Sequence, residues 1–208
     1  RLVVTTTTAD RVDAGSFVDV DVVVLANVPR LHAKAAAALV SHVEAGAGLF
    51  VAMGDQVDVE SYNRDLRPLL PAELRGVKGQ ALLDDANVSE VLGLTGFVAE
   101  HPVLRALTGV DAGSLAGLQR VRTTTTMLVE PDPSADRQVL ARFTNDAPAL
   151  LERALGEEGE GRVLLLTTSI DREWTDLPIR PGFLPLLEQI VLYLGRALDD
   201  GRPRVVRV

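Results

Sequence analysis

Apolar residues in this chain fall into two registers. Unbroken runs at residues 21–26, carrying Val22, Val23, Val24, Leu25 and Ala26, and at 48–53, carrying Leu49, Phe50, Val51, Ala52 and Met53, have no polar face. Such runs suit strands covered on both sides, as in parallel sheets. Between them Leu31, Ala35, Leu39 and Val43 recur at helical spacing in an alanine-rich stretch opened by Pro29 and closed by Gly46. That spacing predicts a helix, and the three elements make a β-α-β unit with an expected right-handed crossover. Residues 1–8, β-branched and bounded by Ala9 and Asp10, predict a further strand of parallel type.

The middle of the chain carries weaker patterns. Tyr62, Leu66, Leu69 and Leu70 with prolines at 68 and 71 predict short helices over 57–74. Residues 76–96 read as an irregular excursion, and 102–107 as a short helix with His101 near its cap. The texture then turns to strands at 118–129, 138–143, 149–155 and 162–168, the last pair joined by an acidic, glycine-rich hairpin tip at 156–161. Phe183, Leu184, Leu187, Ile190, Val191 and Leu194 place a covering helix over 181–198, ended by Asp199, Asp200 and Gly201. The tracts Thr5 to Thr8 and Thr123 to Thr126 are read as residues tolerated on half-exposed strands.

Composition narrows the class. Over 208 residues, 47% hydrophobic but only 4% aromatic residues imply an aliphatic core, which favours α/β. With 21 Lys and Arg against 29 Asp and Glu, the net charge of −8 would repel a phosphate backbone, so no nucleic-acid partner is expected. The chain has no cysteine, which removes disulfides, thiolate metal sites and thiol nucleophiles together. No apolar run approaches the roughly 20 residues of a membrane span. The start at Arg1 without Met and the strand-like alternation at 204–208 lead us to expect a segment of a longer chain. Acidic pairs Asp84–Asp85 and Asp199–Asp200 lack calcium-loop spacing, so neither metal nor cofactor is expected.

The stretch from Val22 through the helix to Leu49, Phe50, Val51, Ala52, Met53, Gly54, Asp55 and Gln56 resembles the core of class I glutamine amidotransferase-like domains. In that family a strand enters an elbow of the form Gly-x-Cys-x-Gly-x-Gln, whose cysteine attacks the glutamine amide. Here Gly54 and Gln56 keep their places, Ala52 stands where the cysteine would, and Phe50 replaces the first glycine. The resemblance implies a three-layer, flavodoxin-like, mostly parallel sheet with helices on both faces. An antiparallel strand extension in the second half completes a single domain over residues 1–208. The segment Asp171-Arg172-Glu173-Trp174-Thr175-Asp176-Leu177-Pro178 and the run from Pro181 to Pro185 resemble a narrower branch. That branch occurs in bacterial membrane proteins with a BatA-type membrane region, often beside von Willebrand A-like modules. It implies one soluble part of a membrane-anchored envelope protein, partnered by other domains of its chain or by envelope proteins, without inserting in the membrane itself.

Acyl transfer needs a nucleophile, a base and an orienting acid. Ala52 offers no lone pair, and the strand at 162–168 leads to Ser169, Ile170, Asp171, Arg172 and Glu173 without the family's histidine. His32 and His42 fall on the first helix, where solvent is expected, and His101 starts a short helix. In an open parallel sheet the carboxyl ends of the strands form the binding rim, which places Asn27, Gly54, Asp55, Gln56, Ser169, Asp171 and Arg172 together. Trp174, the only tryptophan, is read as a loop anchor, with an exposed partner contact as the alternative. The leading expectation is a non-catalytic binding or assembly module. Two rivals stand beside it: a hydrolase-like enzyme using Asp55, Ser169 and Asp171, and a sensor holding a polar ligand on Asn27, Asp55 and Arg172.

Overall fold

Where the two apolar runs lie, the computed structural model has two strands lying side by side, β2 (Val22–Ala26) and β3 (Gly48–Ala52), parallel and in register from Val22 against Gly48 to Ala26 against Ala52. The structure describes residues 3–79, 91–109, 112–131, 134, 136–156, 160–196 and 205–207. Helix α1 (Ala33–Glu44) joins β2 to β3, as the stripe of Leu39 and Val43 requires. Beyond β3, β9 (Gly161–Leu166) pairs in parallel, and on the far side of β2 come β10 (Val205–Arg207) and β1 (Val3–Thr5), also parallel. Three antiparallel strands extend the other edge: β8 (Pro148–Leu155), β7 (Arg137–Phe143) and β5 (Leu94–Thr95). Among the described residues the sheet thus has eight strands in the order β1-β10-β2-β3-β9-β8-β7-β5. The fold is mixed α/β, with the antiparallel extension expected for the second half.

Alternation along the central strands sends side chains into two separate cores. Val23, Leu25, Leu49, Val51, Val163 and Leu165 join Leu39 and Val43 of α1 and Tyr62 of α2 (Val59–Asp65). Val22, Val24, Phe50, Ala52, Leu164 and Leu166 meet Val103 and Leu104 of α3 (Pro102–Gly109), Leu118 of α4 (Ala112–Gln119) and Ile190 and Leu194 of α5 (Phe183–Leu194). Each such side chain is worth roughly 1.5–3 kcal/mol when fully buried. Close approach replaces side chains at two seams. A Cβ on Gly48 would stand 2.6 Å from the Leu194 carbonyl, and one on Gly161 would strike the carbonyl of Val43.

Several expectations are corrected. Residues 118–119 belong to α4, because Leu118 is held in the core at the seam where Gly182 lies against Ser114 and Leu118. The strand that follows, β6 (Thr125–Pro131), leaves the main sheet and pairs antiparallel with β4 (Ala72–Gly79), so the start of the supposed irregular excursion is a strand. A bulge between Leu74 and Gly76, with Gly76 at φ 145°, breaks the alternation that would have revealed it. The covering helix ends at Leu194, where Gly195 caps it and Arg196 turns left-handed at φ 55°, rather than at 198. Strand β1 is shorter than residues 1–8 and exposed, followed by 3-10 turns at Ala9–Arg11 and Ala14–Phe17. The pairs Asp84–Asp85 and Asp199–Asp200 and the hairpin tip at 157–159 lie outside the described residues.

Candidate functional site

Three parallel strands, β2, β3 and β9, end on one rim of the sheet, and the residues just past them form two separate hydrogen-bonded units. The first is a clamp around Asn27. Its backbone is left-handed, at φ 50°, and its N–H donates to the Ala52 carbonyl at 3.0 Å. The side chain then reaches across to the β3 turn. Nδ2 donates to Asp55 Oδ1 at 2.8 Å, and Oδ1 accepts the Gln56 N–H at 2.9 Å. Gln56 Nε2 donates to the other Asp55 oxygen at 2.6 Å. Gly54 is obligatory here, because a Cβ would collide with the Asn27 carboxamide. Hydrogen bonds from Asn27 and then Gln56 hold the exposed Asp55 carboxyl below the ordinary aspartate range.

Ala52, which the sequence resemblance would set at a nucleophile's position, is 1% exposed and belongs to the core beneath α3 and α5. A nucleophile elbow is a strained turn that lifts its residue out of the sheet. Among the described residues with positive φ, none lies between 52 and 56; the left-handed residue at this rim is Asn27, on the neighbouring strand. The chain instead leaves β3 through an ordinary turn into α2, which Asp58 caps by accepting the Ser61 N–H at 3.1 Å and its hydroxyl at 2.8 Å.

The second unit follows β9. The Ser169 hydroxyl, fully buried, donates to Asp171 Oδ1 at 2.7 Å, and the same oxygen accepts the Glu173 N–H at 2.9 Å. Ser169 and Asp171 therefore close their own turn, and no hydrogen bond joins them to Asn27 or Asp55. Arg172 is exposed beside them. Trp174 is 6% exposed and sits in the core with Tyr62 and Met127, which supports the anchor reading.

A strap lies across this second unit. Thr123 Oγ1 and Thr175 Oγ1 share a buried hydrogen bond of 3.0 Å, and the Thr124 N–H donates to the Trp174 carbonyl at 2.8 Å. Thr168 Oγ1 donates to the Thr125 carbonyl at 3.1 Å, and the Met127 N–H to the Thr167 carbonyl at 2.7 Å. The second threonine tract is thus not a tolerated surface run. Thr123 and Thr126 are buried, and the tract fastens the chain over the end of β9.

Two of the three histidines are engaged elsewhere. His42 is half-buried rather than solvated, with Nε2 at 2.7 Å from the Val20 carbonyl and its ring stacked on Phe17. His32 is exposed at the start of α1 and makes no capping bond. His101 Nδ1 accepts the Val103 N–H at 3.3 Å, so Nε2 carries the proton toward Glu152 Oε2 at 3.1 Å.

Sequence reasoning missed the polar cluster around Glu152. This carboxylate, 8% exposed, points from β8 into the α3–α5 core and also accepts the Tyr193 hydroxyl at 2.5 Å. Arg162 stacks 4.4 Å over the Tyr193 ring. Burial pushes the Glu152 carboxyl up, but the hydrogen bonds from His101 and Tyr193, with the Arg162 guanidinium nearby, outweigh it, and the net direction is down. The sequence signal was a charged pair, Glu152 and Arg153, inside the otherwise apolar strand β8. Among the described residues no group of three or more metal-ligating side chains converges, and no helix is long and apolar enough to cross a membrane.

No protein-family profile and no curated protein matches the chain. Solved structures do. A cytoplasmic protein from Salmonella typhimurium, STM3548, is 14% identical with a TM-score of 0.59, over 92% of this chain and 70% of its own. A second, STM1381 from strain LT2, is 15% identical with a TM-score of 0.58, over 88% of this chain and 73% of its own. The mmIFT52 N-terminal domain is 12% identical with a TM-score of 0.56, over 89% of this chain and 81% of its own. At such identities the likeness is one of fold.

Proposed function

We propose that the chain is a non-catalytic binding or assembly module with a three-layer, flavodoxin-like, class I amidotransferase-like architecture, working within a membrane-anchored bacterial envelope protein. The observation that carries this reading is the unstrained, buried Ala52 at the end of β3, with the turn above it closed by Asn27, Asp55 and Gln56. A nucleophile there would need an exposed thiolate or alkoxide and a base within reach. Ser169 does not replace it, since its hydroxyl is spent on Asp171 and the nearby strap covers that turn. The likeness to a structure described as an N-terminal domain supports use of this fold as one part of a longer chain.

Purified protein assayed for glutaminase and esterase turnover is expected to show none above a heat-denatured control. Turnover that disappears in Ser169→Ala or Asp171→Asn would overturn the proposal and restore the hydrolase reading.

A further inference from the structure

Where the β4–β6 ribbon meets β7, the described residues line an open cleft of about 290 Å³. Its floor is apolar, made by Leu70 and Ala72, each 4% exposed, with Pro131 beside them. Two hydrogen-bonded braces hold the walls in place. Asn63 of α2 donates from Nδ2 to the Leu74 carbonyl at 2.7 Å and accepts the Leu74 N–H on Oδ1 at 3.0 Å, which fastens α2 to β4. Arg153 of β8 donates from Nη1 to the carbonyls of Arg67 and Leu70, both at 3.3 Å, and its charge is met by Asp136 at 3.2 Å. The cleft is therefore preformed, and little ordering is left for a ligand to impose.

Charge is divided across this cleft. The ribbon supplies two acids, Glu73 and Glu130, which stand directly opposite each other in the β4–β6 register. Like charges so placed repel. Arg75 relieves them by donating Nη1 to Glu73 Oε1 at 2.9 Å and Nε to Glu130 Oε2 at 2.9 Å, so that two carboxylates against one guanidinium leave the ribbon in negative excess. The flanking segments supply two cations, Arg67 after α2 and Arg137 on β7. Arg137 is anchored, its Nη1 donating to Ser134 Oγ at 3.2 Å. The exposed Arg67 guanidinium makes no hydrogen bond or ion pair with any described residue. A purely cationic ligand would be repelled by the two arginines, and a purely anionic one would leave the acidic wall without a counter-charge. A ligand carrying both charges satisfies both walls. The apolar floor takes an aliphatic body, and a volume at the lower edge of the roughly 300–1,000 Å³ of drug-sized pockets limits the ligand to a small one.

We propose that this cleft binds a free, zwitterionic α-amino acid with an aliphatic side chain, its carboxylate on the Arg67 guanidinium, its ammonium on Glu73 and Glu130, and its side chain over Leu70 and Ala72. A planar guanidinium presents paired N–H donors that match a carboxylate, which gives that end of the ligand to Arg67. The cleft shares no residue with the Asn27 clamp or the Ser169 turn, so the inference goes beyond the reading above and does not depend on it.

Isothermal titration at fixed ionic strength compares leucine with two probes that each lack one charge, 4-methylpentanoate without the ammonium and leucinamide without the carboxylate. Leucine is expected to bind at least about tenfold tighter than either, the factor set by one charge-assisted contact. Arg67→Gln should weaken leucine and 4-methylpentanoate about tenfold and leave leucinamide no weaker. The double variant Glu73→Gln/Glu130→Gln should weaken leucine about tenfold but not 4-methylpentanoate. All three positions are exposed, and thermal melts check folding. In the unmodified protein, saturating leucine should shift the amide resonances of Glu73 and Arg137 and leave those of Asp55 and Gln56 in place. No binding at millimolar leucine, equal affinity for the three probes, unchanged leucine affinity in Arg67→Gln, or shifts confined to the Asn27 clamp overturns the site. None of these outcomes touches the reading of the rim, which the turnover assays decide.

Discussion

Gly54→Ala probes the clamp directly. Gly54 does not sit at positive φ, so alanine costs no backbone strain there and the whole effect is steric, between the new Cβ and the Asn27 carboxamide. Relief requires the Asn27 side chain to leave. Its hydrogen bond to the Asp55 carboxylate at 2.8 Å and its bond from the Gln56 N–H at 2.9 Å are then lost. A bond to a charged group contributes about 1.5–3 kcal/mol and a neutral one about 0.5–1.5 kcal/mol. Water reaches Asp55 and Gln56, which places the expected loss at the lower end, about 2–3 kcal/mol. Asn27→Gly removes the same two bonds but accepts the left-handed backbone freely. In that background the alanine meets no carboxamide, and Gly54→Ala should cost less than about 0.5 kcal/mol. Urea unfolding of the four proteins of this double-mutant cycle at pH 7 should give a coupling of about 2 kcal/mol. If Gly54→Ala costs the same in both backgrounds, the clamp is not what fixes the glycine.

Ala52→Cys should produce a thiol that reacts with Ellman's reagent only in denaturant. No other cysteine complicates the reading, and rapid labelling of the native protein would contradict the burial on which the proposed function depends. Glu152→Gln is expected to destabilise by about 3 kcal/mol at pH 7. Because the folded carboxyl titrates below its unfolded value, the stability that Glu152 contributes is full above the unfolded pKa and lost as pH falls through the folded one. The gap between wild type and variant should therefore shrink below roughly pH 4, and a gap constant down to pH 3 would refute the assignment. Tyr62→Phe deletes the hydroxyl that donates to the Val28 carbonyl at 2.8 Å, and calorimetry should show a loss of about 1 kcal/mol; an unchanged melting temperature would mean that water replaces the bond.

The β2–α1–β3 unit and the β7–β8–β9 strands were legible because each carries its own pattern, an apolar run, a helical stripe or a hairpin. β4 and β5 were not, since their partners lie in β6 and β7, about 45–60 residues further along the chain, and no local signal announces them. The rim was half legible. The rule that parallel strands end on one edge gathered Asn27, Gly54, Asp55 and Gln56 correctly, but it could not say that Ser169 and Asp171 bond only to their own turn. The threonine tract shows the limit from the other side. Thr123 satisfies a surface-strand pattern, yet it is buried with its hydroxyl bonded to Thr175, on the segment after β9 some fifty residues away.

The placement of β10 between β1 and β2 also bears on the order in which the protein is made. Val205 pairs with Val3, and Val206 with both Val4 and Val22. Among the described strands β1 reaches the sheet through β10 alone, so residues 3–5 wait for residues 205–207. On the ribosome the segment from β2 to β9 has its central pairings available early, while one flank of β2 stays bare until residues 205–207 emerge. Closure of that flank is then the slow, long-range step, and a chaperone or a neighbouring chain meets an unfinished sheet at that edge and nowhere else along β2.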